Sequence, residues 1–236
     1  MMHQIPTRAL VLFVLGIPFL NAATDTLKPH SFSHPVRSQT RQDTTQKTAP
    51  PTLSHAQVHQ RCLAALNHIR TLSAHFTEKI PKKPGPVKTG TLAIQRPGPG
   101  QSGFGSLRVI YKNPPILDIS AQGRSLVVFN KQSNVRETLP MTSTPLCLVL
   151  RSKLSLGQFV REKNLKNTHG KVFWTLTEAD QTHGGYVTLI FDNQSFTLLG
   201  WHIRDVYGNL IEVSLEKVKI NTPLSPQTFI LPKGRA

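Results

Sequence analysis

Ten histidines are the residues in this sequence whose type most invites metal or acid–base chemistry. His55 and His59 stand four residues apart in a stretch with helical spacing, and that separation puts two imidazoles on one helical face, as a zinc ion requires. No carboxylate lies between them in the HExxH manner, and no obvious third ligand follows. We interpret the pair as solvated histidines on a helix surface, and the sequence predicts no metal site.

The carboxylates and candidate nucleophiles are equally uninformative about catalysis. The chain has only 12 Asp and Glu, and Asp192 and Asp205 both stand in turn sequences without an evident acidic neighbour. The sequence contains neither the G-x-S-x-G nucleophile elbow nor the phosphate-binding GxxxxGK[ST] loop. Cys62 has no identifiable histidine partner and is typical of a small core residue. We therefore predict no catalytic residue, no cofactor and no enzymatic activity.

One arginine stands in an unusual position at the end of a strand-like stretch, "TGTLAIQRPG". Side chains alternate between the two faces of a strand, so Leu92, Ile94 and Arg96 share one face, and Pro97 then ends the strand. Arginine keeps its charge inside proteins. On these residues alone, Arg96 is interpreted as a side chain whose stem packs on apolar neighbours and whose head reaches water.

The elements that would position these residues are one helix followed by many short strands. "SHAQVHQRCLAALNHIRTL" has apolar residues at helical spacing after a capping serine, Ser54, and alternation typical of a strand begins near Leu72. Strand-like runs then recur about every 8–12 residues between turn signals. This pattern predicts a mainly β protein with one large antiparallel sheet or barrel.

A second short helix is predicted in the middle of these strands. "TSTPLCLVLRSKLSLGQF" places Pro145 at a first helical turn and is apolar on nearly all sides after it. Two interpretations remain open. The segment is a core helix, or it is a lid whose apolar underside faces a cavity, formed by Leu146, Leu148 and Val149.

The two ends of the chain differ in composition. Residues 1–23 have a basic start, a short apolar run and small residues at the end, which predicts a secretory signal peptide. Residues 24–53 are polar and poor in aliphatic side chains, which predicts a flexible leader. The folded domain is predicted to span residues 54–236. The protein is therefore expected to be exported and soluble, with the bacterial periplasm as the best fit.

The formal net charge of +16 belongs mainly to the folded domain, because only five of the 28 Lys and Arg precede residue 54. An export signal argues against nucleic acid as the partner, as does the scatter of basic residues away from aromatic side chains. Anionic lipid headgroups, an acidic protein or solubility alone remain open explanations. The two cysteines, Cys62 and Cys147, are too few for a disulfide scaffold, and whether they pair is left open.

The order of several motifs resembles one known family. A helix ending in "LNHIRTLSAHFTEK" leads into "GTLAIQRPG", then "YKNPP", "AQGRSLVVFNK", "LPMTSTPLCLVL", "TLIFDN", "LLGWHIRDVYGN" and "TPLSPQTFILP". Over residues 56–232 this resembles the LolA family of periplasmic carriers of outer-membrane lipoproteins. The resemblance implies an incomplete, strongly curved antiparallel β-barrel of about eleven strands, with short helices forming a lid over an apolar cavity.

The resemblance also implies a function and partners. The cavity would shield the acyl chains of lipoproteins released by the inner-membrane LolCDE transporter, and the cargo would pass to LolB or an equivalent outer-membrane acceptor. We expect a monomer. The alternative is a periplasmic carrier or sensor of other lipids or amphiphiles on the same fold.

The same resemblance assigns roles to particular residues. Arg96, followed by Pro97, matches the family position that forms a latch to the lid in the closed form. Side-chain parity then suggests a cavity lining of Leu92, Ile94, Ile110, Leu117 and Ile119, and a lid formed by Pro145, Leu146, Leu148 and Val149. The chain departs from the family in its glycine-rich stretch "GPGQSGFGS", which lengthens the loop after Pro97.

Overall fold

A computed structural model describes residues 53–81, 85–98, 100–141, 150–157, 160–179, 185–204 and 208–231. Within these ranges the chain forms one α-helix, eleven β-strands and a C-terminal 3-10 helix. Their bounds are α1 His55–His68, β1 Thr71–Lys79, β2 Lys88–Gln95, β3 Ser106–Asn113, β4 Leu117–Gln122, β5 Ser125–Asn130, β6 Val135–Pro140, β7 Val160–Thr168, β8 Lys171–Glu178, β9 Tyr186–Asp192, β10 Leu198–Arg204, β11 Leu210–Ile220 and the 3-10 helix Pro226–Phe229.

Helix α1 begins where its capping signal predicts. The Ser54 side chain accepts a hydrogen bond from the backbone N–H of Gln57, and the Gln57 side chain accepts one from the backbone of Ser54. This reciprocal capping box satisfies two backbone donors that a helix start leaves unpaired. The buried side chains Val58, Cys62 and Leu66 recur every four residues and give the helix one apolar side.

All eleven strands belong to one sheet that does not close. The strand order is β6-β5-β4-β3-β2-β1-β11-β10-β9-β8-β7, and every neighbouring pair is antiparallel. Leu107 on β3 and Trp201 on β10 line the same small cavity, although three strands lie between theirs. In a flat sheet four strand spacings would separate them by about 19 Å. The sheet is therefore strongly curved, and the prediction of an incomplete antiparallel barrel is confirmed.

Different elements pack on the two faces of the curved sheet. The inner face packs on α1 in one continuous apolar core, which includes Leu92, Val109 and Ile119 from three adjacent strands. The outer face of β3 and β4 is covered by the C-terminal segment. There, Ser120 Oγ donates a hydrogen bond to the backbone carbonyl of Phe229, and the Gln122 side chain donates to the same oxygen at 3.3 Å.

The prediction that Ile110 lines the inner cavity is wrong. Ile110 is paired with Thr91, whereas Val109 is paired with Leu92, and directly paired residues in a sheet share a face. Ile110 therefore lies on the outer face. The parity argument failed because the C-terminal segment makes that face apolar as well, so Val109 and Ile110 look equally suited to burial.

Several predictions concern residues at the margins of the described structure. Leu53, assigned to the leader, packs against the core, so the ordered domain includes it. The predicted signal peptide, the rest of the leader, Cys147 and the predicted lid residues Pro145, Leu146, Leu148 and Val149 lie outside the described residues. Cys62 is a free, buried thiol. Across the described ranges, no helix is long and apolar enough to cross a membrane.

Candidate functional site

Arg96 lies at the inner rim of the sheet and joins two elements that come from distant parts of the chain. Its side chain is almost fully buried, with 4% exposed. Nη1 donates to the backbone carbonyls of Leu66 at 2.6 Å and Ile69 at 3.3 Å, both at the end of α1. Nε donates to the carbonyl of Arg151 at 2.6 Å, and Nη2 donates to Asn67 Oδ1 at 3.3 Å.

The end of α1 is a suitable partner for a buried cation. The last carbonyls of a helix have no partner inside the helix, and the helix dipole makes this end partially negative. Burial lowers the pKa of Arg96 from 12.5 to about 10, with a further contribution from the nearby charge of Arg70. The guanidinium therefore stays protonated at neutral pH, and all of its contacts are charge-assisted hydrogen bonds.

Two more side chains of the α1 region hold the same distant segment. Asn67 donates to the carbonyl of Leu154 at 2.9 Å and accepts from its backbone N–H at 2.8 Å. Arg70 Nη1 donates to the carbonyl of Ser152 at 3.1 Å. We call Asn67, Arg70, Arg96 and the backbone of residues 151–154 the Arg96 junction. Its distant half begins two residues after the predicted lid.

The glycine-rich loop returns to this junction from the other side. Phe104 forms an isolated bridge with Arg151, whose guanidinium lies 5.4 Å from the Phe104 ring centre. The backbone N–H of Gly105 donates to the carbonyl of Leu150 at 2.8 Å. A Cβ atom at Gly105 would lie 2.0 Å from the carbonyl oxygen of Gln95, so only glycine allows the loop to come this close. Pro97 is half-buried beside the loop and lines an open cleft of about 780 Å³.

The inner face next to the junction encloses a small apolar hollow. Leu92 and Ile94, both predicted to line the cavity, lie on its wall together with Phe76, Leu107, Val109, Trp201, Val213 and Glu78. Leu117 and Ile119 lie on the same face and are fully buried. The free space is about 20 Å³, which is room for about one water molecule and far too little for an acyl chain. The hollow is therefore closed in this structure.

The hollow also contains polar groups that the sequence analysis missed. Lys88 Nζ lies 2.8 Å from Glu78 Oε1, and the Tyr111 hydroxyl donates to Glu78 Oε2 at 2.6 Å. Burial and the Glu78 charge raise the pKa of Tyr111 well above its usual value. Trp201 Nε1 is buried on the same wall and has no hydrogen-bond partner among the described residues. Alternation from Leu72 onward would have placed Glu78 on the inner face.

The histidine pair faces a carboxylate that comes from a distant strand. Glu162 on β7 lies 3.6 Å from the Nε2 of His55 and 3.7 Å from that of His59, and accepts a hydrogen bond from Trp174 Nε1 at 2.8 Å. Among the described residues, no group of three His, Cys, Asp or Glu could hold a metal ion. Solvation fits His55, which is 67% exposed. Solvation does not fit His59, whose Nε2 is buried and whose ring makes an edge-to-face contact with Trp174.

The fold of this chain is similar to that of several solved structures. The chain resembles a putative outer membrane lipoprotein-sorting protein domain from Vibrio parahaemolyticus, at 8% identity over 73% of this chain and 94% of that one, with a TM-score of 0.45. It resembles a LolA superfamily protein from Nitrosomonas europaea at 12% identity over 73% and 97%, with a TM-score of 0.40. A chain of the MucA/MucB complex of Pseudomonas aeruginosa is similar at 11% identity over 74% of this chain and 60% of that one, with a TM-score of 0.41.

The family assignment itself comes from the sequence. No curated protein matches the chain. The family model of the outer membrane lipoprotein carrier protein LolA matches residues 67–231, which is well over half of the chain. This match begins at Asn67 in the Arg96 junction and ends with the C-terminal segment on the outer face. The chain therefore belongs to the LolA family.

Proposed function

We propose that this protein is a periplasmic, non-enzymatic carrier that shields the acyl chains of lipoproteins in the hollow beneath α1. It would receive its cargo from the inner-membrane LolCDE transporter and deliver it to LolB or an equivalent outer-membrane acceptor. The observation that carries the proposal is the Arg96 junction, which joins the end of α1 and residue 151 to the rim of the sheet by hydrogen bonds between elements far apart in the chain.

The chemistry of the inner face supports an acyl chain as the occupant. Each methylene group removed from water contributes about 0.8 kcal/mol, so a shield for two or three chains needs only apolar surface and enough space. The wall supplies such surface from β2, β3, β10 and β11. The space for an acyl chain must come from an opening movement, because the closed hollow has room for only about one water molecule. Separation of α1 and residues 150–157 from the rim would open it.

The junction has the properties of a reversible closure. Its strongest bonds run from one side chain to carbonyl groups of two separate elements, so an opening movement breaks them without unpairing any strand. Water can replace Arg96 at those carbonyls when the elements separate. A cargo that gains enough buried apolar surface in the open form shifts the balance towards opening, and loss of the cargo shifts it back.

One polar group in the hollow suits the ester or amide that joins an acyl chain to its carrier. Trp201 Nε1 is a donor without a partner among the described residues, and a buried unsatisfied donor is costly. A carbonyl at the head of an acyl chain would satisfy it. This wall would contact the lipid rather than the polypeptide, so a second candidate remains in which free lipids or other amphiphiles are the cargo.

Native purification tests the proposal. The protein is expressed as the full chain, recovered from periplasmic extract without detergent, and analysed by native mass spectrometry. Co-purification of an acylated lipoprotein in stoichiometric amount is the expected result. Bound free lipid without protein would support the second candidate instead. A chain that is always empty, even when lipoproteins accumulate, contradicts both. Recovery only from the cytoplasm or a membrane fraction contradicts the proposed location.

A further inference from the structure

A second groove lies on the outer face of the sheet, on the side away from the hollow. The C-terminal segment 224–230 runs beside the outward-facing residues of β1, β2, β3 and β11 and leaves a groove of about 580 Å³. Its lining combines basic side chains, Arg108, Lys217 and Lys219, with aliphatic ones, Ile110, Leu224 and Ile230. None of the functions assigned to the inner face uses these residues.

The basic side of the groove carries charge that is not compensated locally. Lys217 and Lys219 are exposed, and neither has an ion-pair partner among the described residues. Lys217 has a φ of 51°, at the point where the pairing of β11 with β1 changes register. The register change lies between the partners of Ser73 and His75, both of which line the groove.

Arg108 supplies a buried donor to the same groove. The residue is only 5% exposed, and its Nη1 has no hydrogen-bond partner among the described residues. Its Nη2 lies 3.1 Å from Asp118 Oδ2, and Lys131 Nζ lies 3.5 Å from the same oxygen. The single carboxylate is thus shared by two cations, so Asp118 does not cancel the positive charge of the groove. Glu216, paired with His75 at the edge, is the other nearby acid.

The aliphatic side of the groove is unusually exposed. Among the large hydrophobic side chains described, only Val87, Val135 and Ile230 are exposed, and Ile230 is 60% exposed. Ile230 stands in the groove with the half-buried Leu224. An exposed aliphatic side chain beside uncompensated lysines is typical of surfaces that bind anionic lipid. The lining has no Phe, Tyr or Trp on which nucleic-acid bases would stack.

We propose that this outer groove binds the phosphate headgroup of an anionic lipid at a membrane surface. Lys217, Lys219 and Arg108 would hold the phosphate, and Ile230 and Leu224 would contact the apolar part of the same lipid. The site differs from the hollow in its face, its charge and the part of the lipid that it binds. It would give the carrier a weak, salt-dependent attachment to a membrane while the hollow stays closed or loaded.

Vesicle flotation with a charge-matched control tests the groove. Wild-type protein, purified from cells that express the full chain, is compared with Lys217→Glu/Lys219→Glu on vesicles of 30% phosphatidylglycerol in phosphatidylcholine. Each basic residue near an anionic surface contributes about fivefold in affinity, so the double variant should bind at least about 25-fold more weakly. Arg161→Glu/Lys166→Glu on edge strand β7 changes the net charge equally and should bind within about threefold of wild type.

The aliphatic side and the source of the phosphate have their own measurements. Ile230→Asn leaves the charge unchanged and should weaken vesicle binding at least threefold. A water-soluble short-chain phosphatidylglycerol should compete at concentrations at least tenfold below those of inorganic phosphate. Equal loss in both charge-reversed variants, no effect of Ile230→Asn, or equal competition by inorganic phosphate would each overturn the proposal. Arg96→Leu should float as wild type does, so failure of the carrier role and failure of the groove are distinguishable.

Discussion

Replacement of Arg96 by leucine tests whether the junction is a latch. The substitution removes two short charge-assisted bonds, to Leu66 and Arg151, which are worth about 1.5–3 kcal/mol each. It also removes the cost of burying a guanidinium. The fall in the pKa of Arg96 from 12.5 to about 10 corresponds to about 3 kcal/mol against the charged form. The closed form should therefore lose only about 0–3 kcal/mol relative to the open one.

A closure this weak opens measurably without unfolding of the sheet. Every 1.4 kcal/mol changes a population tenfold, so the open form of Arg96→Leu should rise by up to about 100-fold. Hydrogen exchange followed by mass spectrometry should show faster exchange at the end of α1 and in residues 150–157. The β-strands should still exchange more slowly than these two segments, and the unfolding free energy measured in urea should fall by no more than the same 0–3 kcal/mol. Arg161→Leu, an exposed arginine on β7, is the matched control.

The same variant should separate loading from delivery. Without the junction the closed, empty form loses its advantage, and the leucine adds apolar surface at the rim. Arg96→Leu should therefore accept acylated cargo but pass it to acceptor membranes more slowly than the wild type does. Arg96→Lys keeps the charge but loses the forked donor geometry, so its transfer rate should lie between those of the wild type and Arg96→Leu. Transfer to acceptor membranes at the rate of Arg161→Leu, or slower exchange at residues 66–70 and 150–154 than in the wild type, would refute the latch.

Three further changes test the interior. Glu78→Gln removes the carboxylate from the buried ion pair with Lys88 and should cost about 3–5 kcal/mol of unfolding free energy. Glu78→Met with Lys88→Met should recover most of it, as measured by urea denaturation. Trp201→Phe should reduce affinity for an ester lysophospholipid about 3–10-fold but leave its ether analogue unchanged, by competition titration. Because burial raises the pKa of Cys62 to about 12, a Cys147→Ser variant should react with a thiol reagent only when unfolded; reaction of the native protein would contradict the burial.

The regular parts of this fold are readable from local sequence because local rules determine them. The capping box at Ser54 and the alternation from Leu72 onward depend on residues a few positions apart, and both features are present in the structure. The same alternation placed Arg96 on the inner face. The hydrogen-bond partners of Arg96 could not be predicted from local sequence, because Leu66 and Arg151 are 30 and 55 residues away along the chain. They become neighbours of Arg96 only when the sheet curves.

The errors have a common physical origin in surfaces that are covered by distant segments. Ile110 looked suited to the hollow because no pattern in β3 shows that the C-terminal segment covers its outer face. His59 looked solvated because Glu162 and Trp174, which lie against its buried Nε2 and its ring, come from strands about 100 residues away. Periodicity identifies which residues are apolar on each face. Periodicity does not show which segment covers a face. The covering segment determines whether that face becomes part of the core, a cavity wall or a binding groove.

Two buried arginines, Arg108 on β3 and Arg96 just after the end of β2, show why burial of a charge alone does not make a latch. Arg108 is paired with Asp118, and their strands β3 and β4 are already joined by the sheet, so loss of that contact releases no element. Arg96 binds carbonyls of α1 and of residue 151, neither of which is a strand neighbour of β2. Its bonds are therefore made and broken by movement between elements. The capacity for reversible closure resides in what the guanidinium connects rather than in how strongly it binds.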